Sequence, residues 1–176
     1  MTMHIRRYQD CDREQVLHLH KVALAGVGAD AGPGPWDDDL AQIEQAYLTA
    51  RGDFLVGILD DRVAAMGALR QVDEHIVELK RMRVSPELQG QGLGRRLLRA
   101  LEGRARELGY TRIVLDTTER QAAAIALYQH EGYLETGQGE LAGLPTLFFR
   151  KTLAAATIES APADAVNDKP GTAISG

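Results

Sequence analysis

Apolar positions change their spacing several times along this chain, and each change marks an element. Val16, Leu19, Ala23 and Val27 recur at three- and four-residue steps behind Asp12, which predicts a helix capped by Asp12. Residues 4–9 before it read as a short strand, and GADAGPGP (28–35) after it as a loop dense in glycine and proline. Leu40, Ile43, Tyr47 and Ala50 predict a second helix from Asp37 to about Arg51. From Gly52 the period becomes that of a sheet. FLVGIL (54–59), an Asp60-Asp61 turn and RVAAMGALR (62–70) form a hairpin, and HIVELKRMRV (75–84) adds a strand. Leu97, Leu98, Leu101, Ala105 and Leu108 line one face of a helix from about Leu93 to Leu108, with Gly109 to end it. RIVLDT (112–117) is a continuous apolar run of the kind buried on both faces. A helix over 120–132, closed by Gly132, and two strands, YLETG and PTLFFRKTL, complete the pattern.

One strand carries an irregularity. Val77 and Leu79 share one parity, while Met82 and Val84 share the other. Side chains alternate with a period of two, so a regular strand cannot hold all four on one face. One extra residue near Lys80-Arg81, a β-bulge, restores them to one side. The competing reading is a strand buried on both faces, where parity carries no information.

The turn after this strand is the chemically informative stretch. Pro86 stops the strand, and Gly90, Gly92 and Gly94 stand where the next helix begins. Glycines let backbone N–H groups converge, and a helix start leaves its own N–H groups free with a partial positive charge. Together they make an anion site, typically for phosphate. A P-loop needs Gly-Lys-Ser/Thr here, and the chain has Gly94-Arg95-Arg96. The dinucleotide fingerprint needs a glycine at relative position six, where Arg95 stands. A tight strand-to-helix turn is the plainer alternative.

Gln89-x-x-Gly92-x-Gly94, opening a Leu-rich helix after a strand, resembles the acyl-CoA pyrophosphate loop of the GNAT N-acetyltransferases. The likeness runs from about His4 to Leu153 and includes AIALYQHEGY (124–133). It implies an α/β (α+β) fold: a mixed, mostly antiparallel sheet flanked by helices, with splayed strands forming the CoA cleft. It further implies acetyl-CoA as co-substrate, held by main-chain groups of Gln89, Gly90, Gln91, Gly92, Leu93, Gly94 and Arg95. Backbone groups of Met82 and Val84 would meet the pantetheine arm and the thioester carbonyl. Arg95 and Arg96 would add charge near the phosphates, although Arg96 reads equally as a surface residue. The family often has Asn where Gln121 stands, which weakens a specific contact from that side chain to the CoA arm. By the same resemblance Tyr128 would point at the CoA sulfur as the proton donor, against its reading as a packing residue.

Acetyl transfer from a thioester needs a neutral amine, a stabilised oxyanion and a proton for the thiolate. Glu78, opposite in parity to Val77 and Leu79, is the candidate base, and a surface ion pair with Lys80 or an arginine is its alternative. His75 and Glu119 rank below it. His18 and His20, two apart on a helix, do not face each other, so no metal site is expected. Cys11, the single cysteine, has no assigned role and excludes an internal disulfide.

Composition bounds what remains. The length of 176 residues suits one domain, taken as 1–153, with 154–176 read as a disordered tail poor in aromatics and helical pattern. A formal net charge of −5 argues against general nucleic-acid binding and slightly favours cationic partners such as amines. No apolar run is long enough for a membrane helix and no secretory signal is visible, so the expected compartment is the cytoplasm. A homodimer stays open. GADAGPGPW (28–36) and GQGELAGLP (137–145) are the expected acceptor-site segments, with Trp36 and Tyr47 as either pocket or core residues. The amine acceptor itself is not spelled out. A non-catalytic acyl-CoA sensor, or an interaction module of the same fold, stands beside the enzyme.

Overall fold

The computed structural model describes residues 2–30, 32 and 34–155. The expected tail lies outside the described residues from position 156 onward. Seven strands form one sheet: β1 (His4–Arg7), β2 (Asp53–Leu59), β3 (Arg62–Gln71), β4 (Ile76–Val84), β5 (Arg112–Thr118), β6 (Leu134–Leu141) and β7 (Leu144–Thr152). Their order is β1-β2-β3-β4-β5-β7-β6. Neighbours are antiparallel except β4 and β5, which run parallel. The helices are α1 (Arg13–Ala25), α2 (Asp38–Ala41), α3 (Leu93–Glu107) and α4 (Ala122–His130). The mixed, mostly antiparallel sheet and flanking helices match the expectation from sequence.

Two apolar clusters cover the two faces of the sheet. The successive residues Leu55 and Val56 fall in different clusters, as do Ala68 and Leu69, which is what strand alternation requires. α3 and α4 pack on one face through Leu97, Leu98, Leu101 and Tyr128. α1 and the residues after it cover the other through Val16, Leu19, Leu40, Ile43 and Tyr47.

The predicted second helix is corrected. It is broken into α2, a departure from helical geometry at Gln42 (φ −133°, ψ 50°), and a single wide turn over Glu44–Leu48. Leu40, Ile43 and Tyr47 stay fully buried, but Ala50 is exposed, as is Val27 beyond the end of α1. Arg81 gives the physical reason. Its guanidinium reaches Asp37 Oδ1 (2.8 Å), Asp39 Oδ2 (2.8 Å) and the Trp36 carbonyl, while the Tyr47 hydroxyl donates to Asp39. These bonds pull one short segment onto the sheet, where a regular helix would lift away.

Arg81 is also the extra residue of the expected bulge. Ala68 pairs with Lys80 but Met66 with Arg83, so β4 takes three steps where β3 takes two. Arg81 sits at φ 57°, a left-handed conformation that a non-glycine residue seldom adopts. Val77, Leu79 and Met82 are thereby buried in one cluster, with Val84 packed against it. β4 pairs with β5 only over Ile76–Glu78, and beyond that the two strands part. β5 stays paired with β7 as far as Thr118. The gap between β4 and β5 positions the site.

Candidate active site

A cleft of about 480 Å³ opens beside the start of α3. One wall is Met82, Arg83 and Val84 of β4; the floor is Gln89, Gly90, Gly92, Leu93, Gly94 and Arg95; the far wall is Ala123, Ala124 and Leu127 of α4. Gln91 is exposed at the tip of the turn and does not line the cleft. Gly90 and Gly92 have φ of 77° and 78°, the region that glycine enters without penalty. Gly92 caps α3 with no side-chain cap bond, and the first turn holds no acidic residue but two arginines. Free N–H groups and added positive charge make this helix start unfavourable alone and well suited to an anion. Gly94 lets α3 pack closely, since a Cβ there would stand 3.4 Å from Val84 and from Leu127.

The two arginines part company. Arg95 lines the cleft while its Nε bonds to Glu131 at the end of α4. Arg96 donates to the Met3 carbonyl at 2.9 Å and ties α3 to the N-terminal strand. It takes the structural reading, away from the cleft.

A second pocket, of about 250 Å³, meets the first at Met82, Arg83 and Gln121, which line both. The two expected acceptor segments converge here. Ala29, Asp30 and Trp36 come from one, and Leu141, Ala142 and Leu144 from the other. Trp36 is a pocket residue, 44 % exposed, whereas Tyr47 is wholly core. Gln121 starts α4, its amide 3.5 Å from the Thr118 hydroxyl.

Tyr128 lines this second pocket and is otherwise buried against Tyr133 and Phe149. Burial raises its phenol above the ordinary range, so it carries its proton throughout neutral pH. Glu78 lies outside the pocket lining. Its carboxylate meets Arg70 Nη2 at 2.7 Å and Lys80 Nζ at 3.5 Å, the ion-pair arrangement named as its alternative. His75 and Glu119 are exposed and line neither pocket.

Two residues that sequence reasoning missed stand in the pocket. Asp116 on β5 alternates with buried Ile113, Leu115 and Thr117, so it faces the α1 side of the sheet. β5 is therefore not buried evenly on both faces, as its apolar run suggested. Among the described residues Asp116 has no ion-pair partner, and burial raises its pKa, helped by Glu78 and opposed by Lys80. A lone acid in an apolar strand was the available signal. Arg83, opposite in parity to Met82 and Val84, is the second; it borders both pockets. Among the described residues no group of three or more metal-binding side chains occurs, and no helix is long and apolar enough to cross a membrane.

A glycine-led helix start beside splayed parallel strands, with a donor cleft meeting a second pocket, has the architecture of an acyl-CoA-dependent acyltransferase. Residues 13–133 match the acetyltransferase (GNAT) family, and the chain belongs to that family. N-acetyltransferase 8F1 of Rattus norvegicus is 35 % identical over 117 residues, covering 64 % of this chain and 51 % of that protein. The chain thus spans about half the length of this curated relative. Among solved structures, a GNAT acetyltransferase from Staphylococcus aureus superposes with a TM-score of 0.80 at 20 % identity, covering 87 % of this chain and all of that one. The protein yncA of Salmonella typhimurium, solved with acetyl-CoA as its cofactor, gives a TM-score of 0.73 at 25 % identity, covering 94 % of this chain and 100 % of that one.

Proposed function

We propose that the protein moves an acetyl group from acetyl-CoA to a primary amine by direct attack, without a covalent enzyme intermediate. The observation that carries this reading is the junction of the two pockets at Met82 and Arg83, with Tyr128 and Asp116 both lining the acceptor side. The start of α3 suits the pyrophosphate, and the edge of β4 released beyond Glu78 suits the pantetheine arm. Met82 and Val84 lie on that released edge, where a main-chain N–H can donate to the oxyanion.

Asp116 takes a proton from the incoming ammonium. The neutral amine then attacks the thioester carbonyl, and the tetrahedral oxyanion accepts the β4 hydrogen bond. As the C–S bond breaks, Tyr128 gives its proton to the departing sulfur, and the nitrogen returns one to the Tyr128 oxygen as the amide forms. Asp116 releases its proton to solvent. Asp116 replaces Glu78 as base because it lines the pocket, while Glu78 is held by Arg70 and Lys80.

Release of free thiol from acetyl-CoA with a panel of amines tests the reading. Amine-dependent thiol release is expected. Stabilisation by acetyl-CoA with no release by any amine would identify a sensor, and absence of both would leave an interaction module.

A further inference from the structure

The acceptor pocket holds one cation that neither an ion pair nor the transfer chemistry uses. β4 presents three cations to it, Lys80, Arg81 and Arg83. Lys80 is met by Glu78, and Arg81 by Asp37 and Asp39. Arg83 is met by no carboxylate among the described residues. Its Nη1 donates to the Met82 carbonyl at 2.7 Å, and its Nε is enclosed with no hydrogen-bond partner among the described residues. A charged group left unpaired away from water is costly, and a guanidinium is especially suited to a carboxylate through its planar fork. Burial, reinforced by Arg81, draws its pKa down to about 10, so it is still a cation at neutral pH. Asp116 is its counterpart: a half-buried carboxylate in the same pocket with no ion pair among the described residues.

We propose that the acceptor is a small zwitterion, a free α-amino acid, with its carboxylate on Arg83 and its ammonium toward Asp116. The proposal rests on the acetyl-transfer reading and narrows it. The pocket's modest volume of about 250 Å³ suits a single amino acid. A peptide N-terminus would bring an amide where Arg83 calls for an anion. A simple alkyl amine would leave Arg83 unpaired. Arg83 also borders the donor cleft, so a phosphate of CoA is the competing partner.

The test compares α-amino acids with their amides and their decarboxylated amines, in wild type, Arg83→Met and Arg83→Lys. Thiol release gives kcat/KM, and calorimetry of the protein saturated with CoA gives amino-acid affinity without turnover. Wild type should favour at least one amino acid over its amide and its amine by about 10- to 100-fold, the range of one charge-assisted contact. Arg83→Met should lower kcat/KM for the amino acid by about 10- to 100-fold more than for the neutral-tailed amine, erasing the preference; Arg83→Lys should restore part of it. Equal use of amino acid and amide by wild type overturns the proposal while leaving acetyl transfer intact. So does an Arg83→Met variant that loses acetyl-CoA binding yet melts like wild type, since Arg83 would then serve the donor. If nothing releases thiol, the transfer reading fails and calorimetry decides alone. Amino-acid binding lost in Arg83→Met supports the carboxylate site, and no amino-acid binding by wild type overturns it.

Discussion

Asp116→Asn should lower activity and raise stability at the same time. The substitution keeps the shape of the side chain and removes its charge. If Asp116 is the general base, kcat/KM should fall about 10²–10⁴-fold, the usual range for a positioned proton acceptor. The stability arm follows from the raised pKa, whose first cause is burial. A carboxyl with a folded pKa above its unfolded one favours the folded state when protonated. That contribution is complete below the unfolded pKa and is lost as pH rises through the folded one. At pH 7 the wild type therefore carries a desolvated charge that Asn does not. Each pH unit between the two titrations is worth about 1.4 kcal/mol, or roughly 3–5 °C in melting temperature for a chain of this size. The variant should melt higher at pH 7, and the difference should close in acid, below the ordinary carboxylate range.

The neighbours sharpen the test. The base must be ionised, so kcat/KM falls as pH drops through the Asp116 pKa. Glu78 pushes that pKa up and Lys80 holds it down. Glu78→Gln should then move the acidic limb of the profile to lower pH with only a few-fold change at its plateau, and Lys80→Met should move it up. Scanning calorimetry and a pH–rate profile read both arms. An Asp116→Asn variant with full activity, or one that melts lower at pH 7, would refute the reasoning. The first result removes the base, and the second shows that the folded state stabilises the carboxylate's charge. A large plateau loss in Glu78→Gln would restore Glu78 as the base.

Three further outcomes are expected. Tyr128→Phe should lower turnover by about 10²-fold, near the bottom of the general-acid range because a thiolate already leaves well; acetyl-CoA affinity should barely change, and single-turnover rates check it. Gly92→Val should cost about 1–3 kcal/mol, seen in denaturant unfolding, and remove the thermal stabilisation by acetyl-CoA; a Cβ at Gly92 meets no protein atom within 4 Å, so the cost is that of forcing valine to φ 78°. Arg81→Met should destabilise by about 3–5 kcal/mol, as breaking an enclosed ion pair does. It should also change the emission of the single tryptophan, Trp36, whose carbonyl Arg81 holds.

Much of the fold was legible because it rests on periodicity. α3 spans Leu93–Glu107 almost as its leucine stripe predicted, and β2 and β3 fall on the predicted hairpin. The donor cleft was legible for another reason. Glycines at fixed spacing report backbone conformation directly, and Gly90 and Gly92 do take the left-handed form. The acceptor side was harder to read. Its residues come from segments distant in sequence, and each is locally ambiguous. Asp116 drew no reading of its own within the apolar run of β5; the parting of β4 and β5 is what opens its face. For Glu78 the base and ion-pair readings stood side by side; Lys80 was visible as a neighbour, but Arg70 lies across the sheet on β3, a pairing that no local pattern encodes.

The parity slip in β4 shows where the boundary between legible and hidden runs. The slip itself was visible in four apolar residues, and it required one extra residue near Lys80-Arg81. What that residue does with its side chain was not visible. Once Arg81 is the bulge, its φ of 57° turns the guanidinium onto Trp36, Asp37 and Asp39, breaking the second helix and fixing one wall of the acceptor pocket. The same irregularity keeps Met82 in the core and places Arg83 on the pocket side, at the junction with the donor cleft. β4 leaves β5 beyond Glu78, just ahead of the bulge. One inserted residue thus accompanies the parting of the strands, anchors one wall of the second pocket and sets the cation that lines it. Deleting Arg81 should do more than remove an ion pair. It would make β4 a regular strand in which Met82, Arg83 and Val84 keep their faces, so the deletion should fold, but without the bulge that accompanies the parting of β4 from β5; thermal stabilisation by acetyl-CoA should then weaken in the deletion and persist in Arg81→Met.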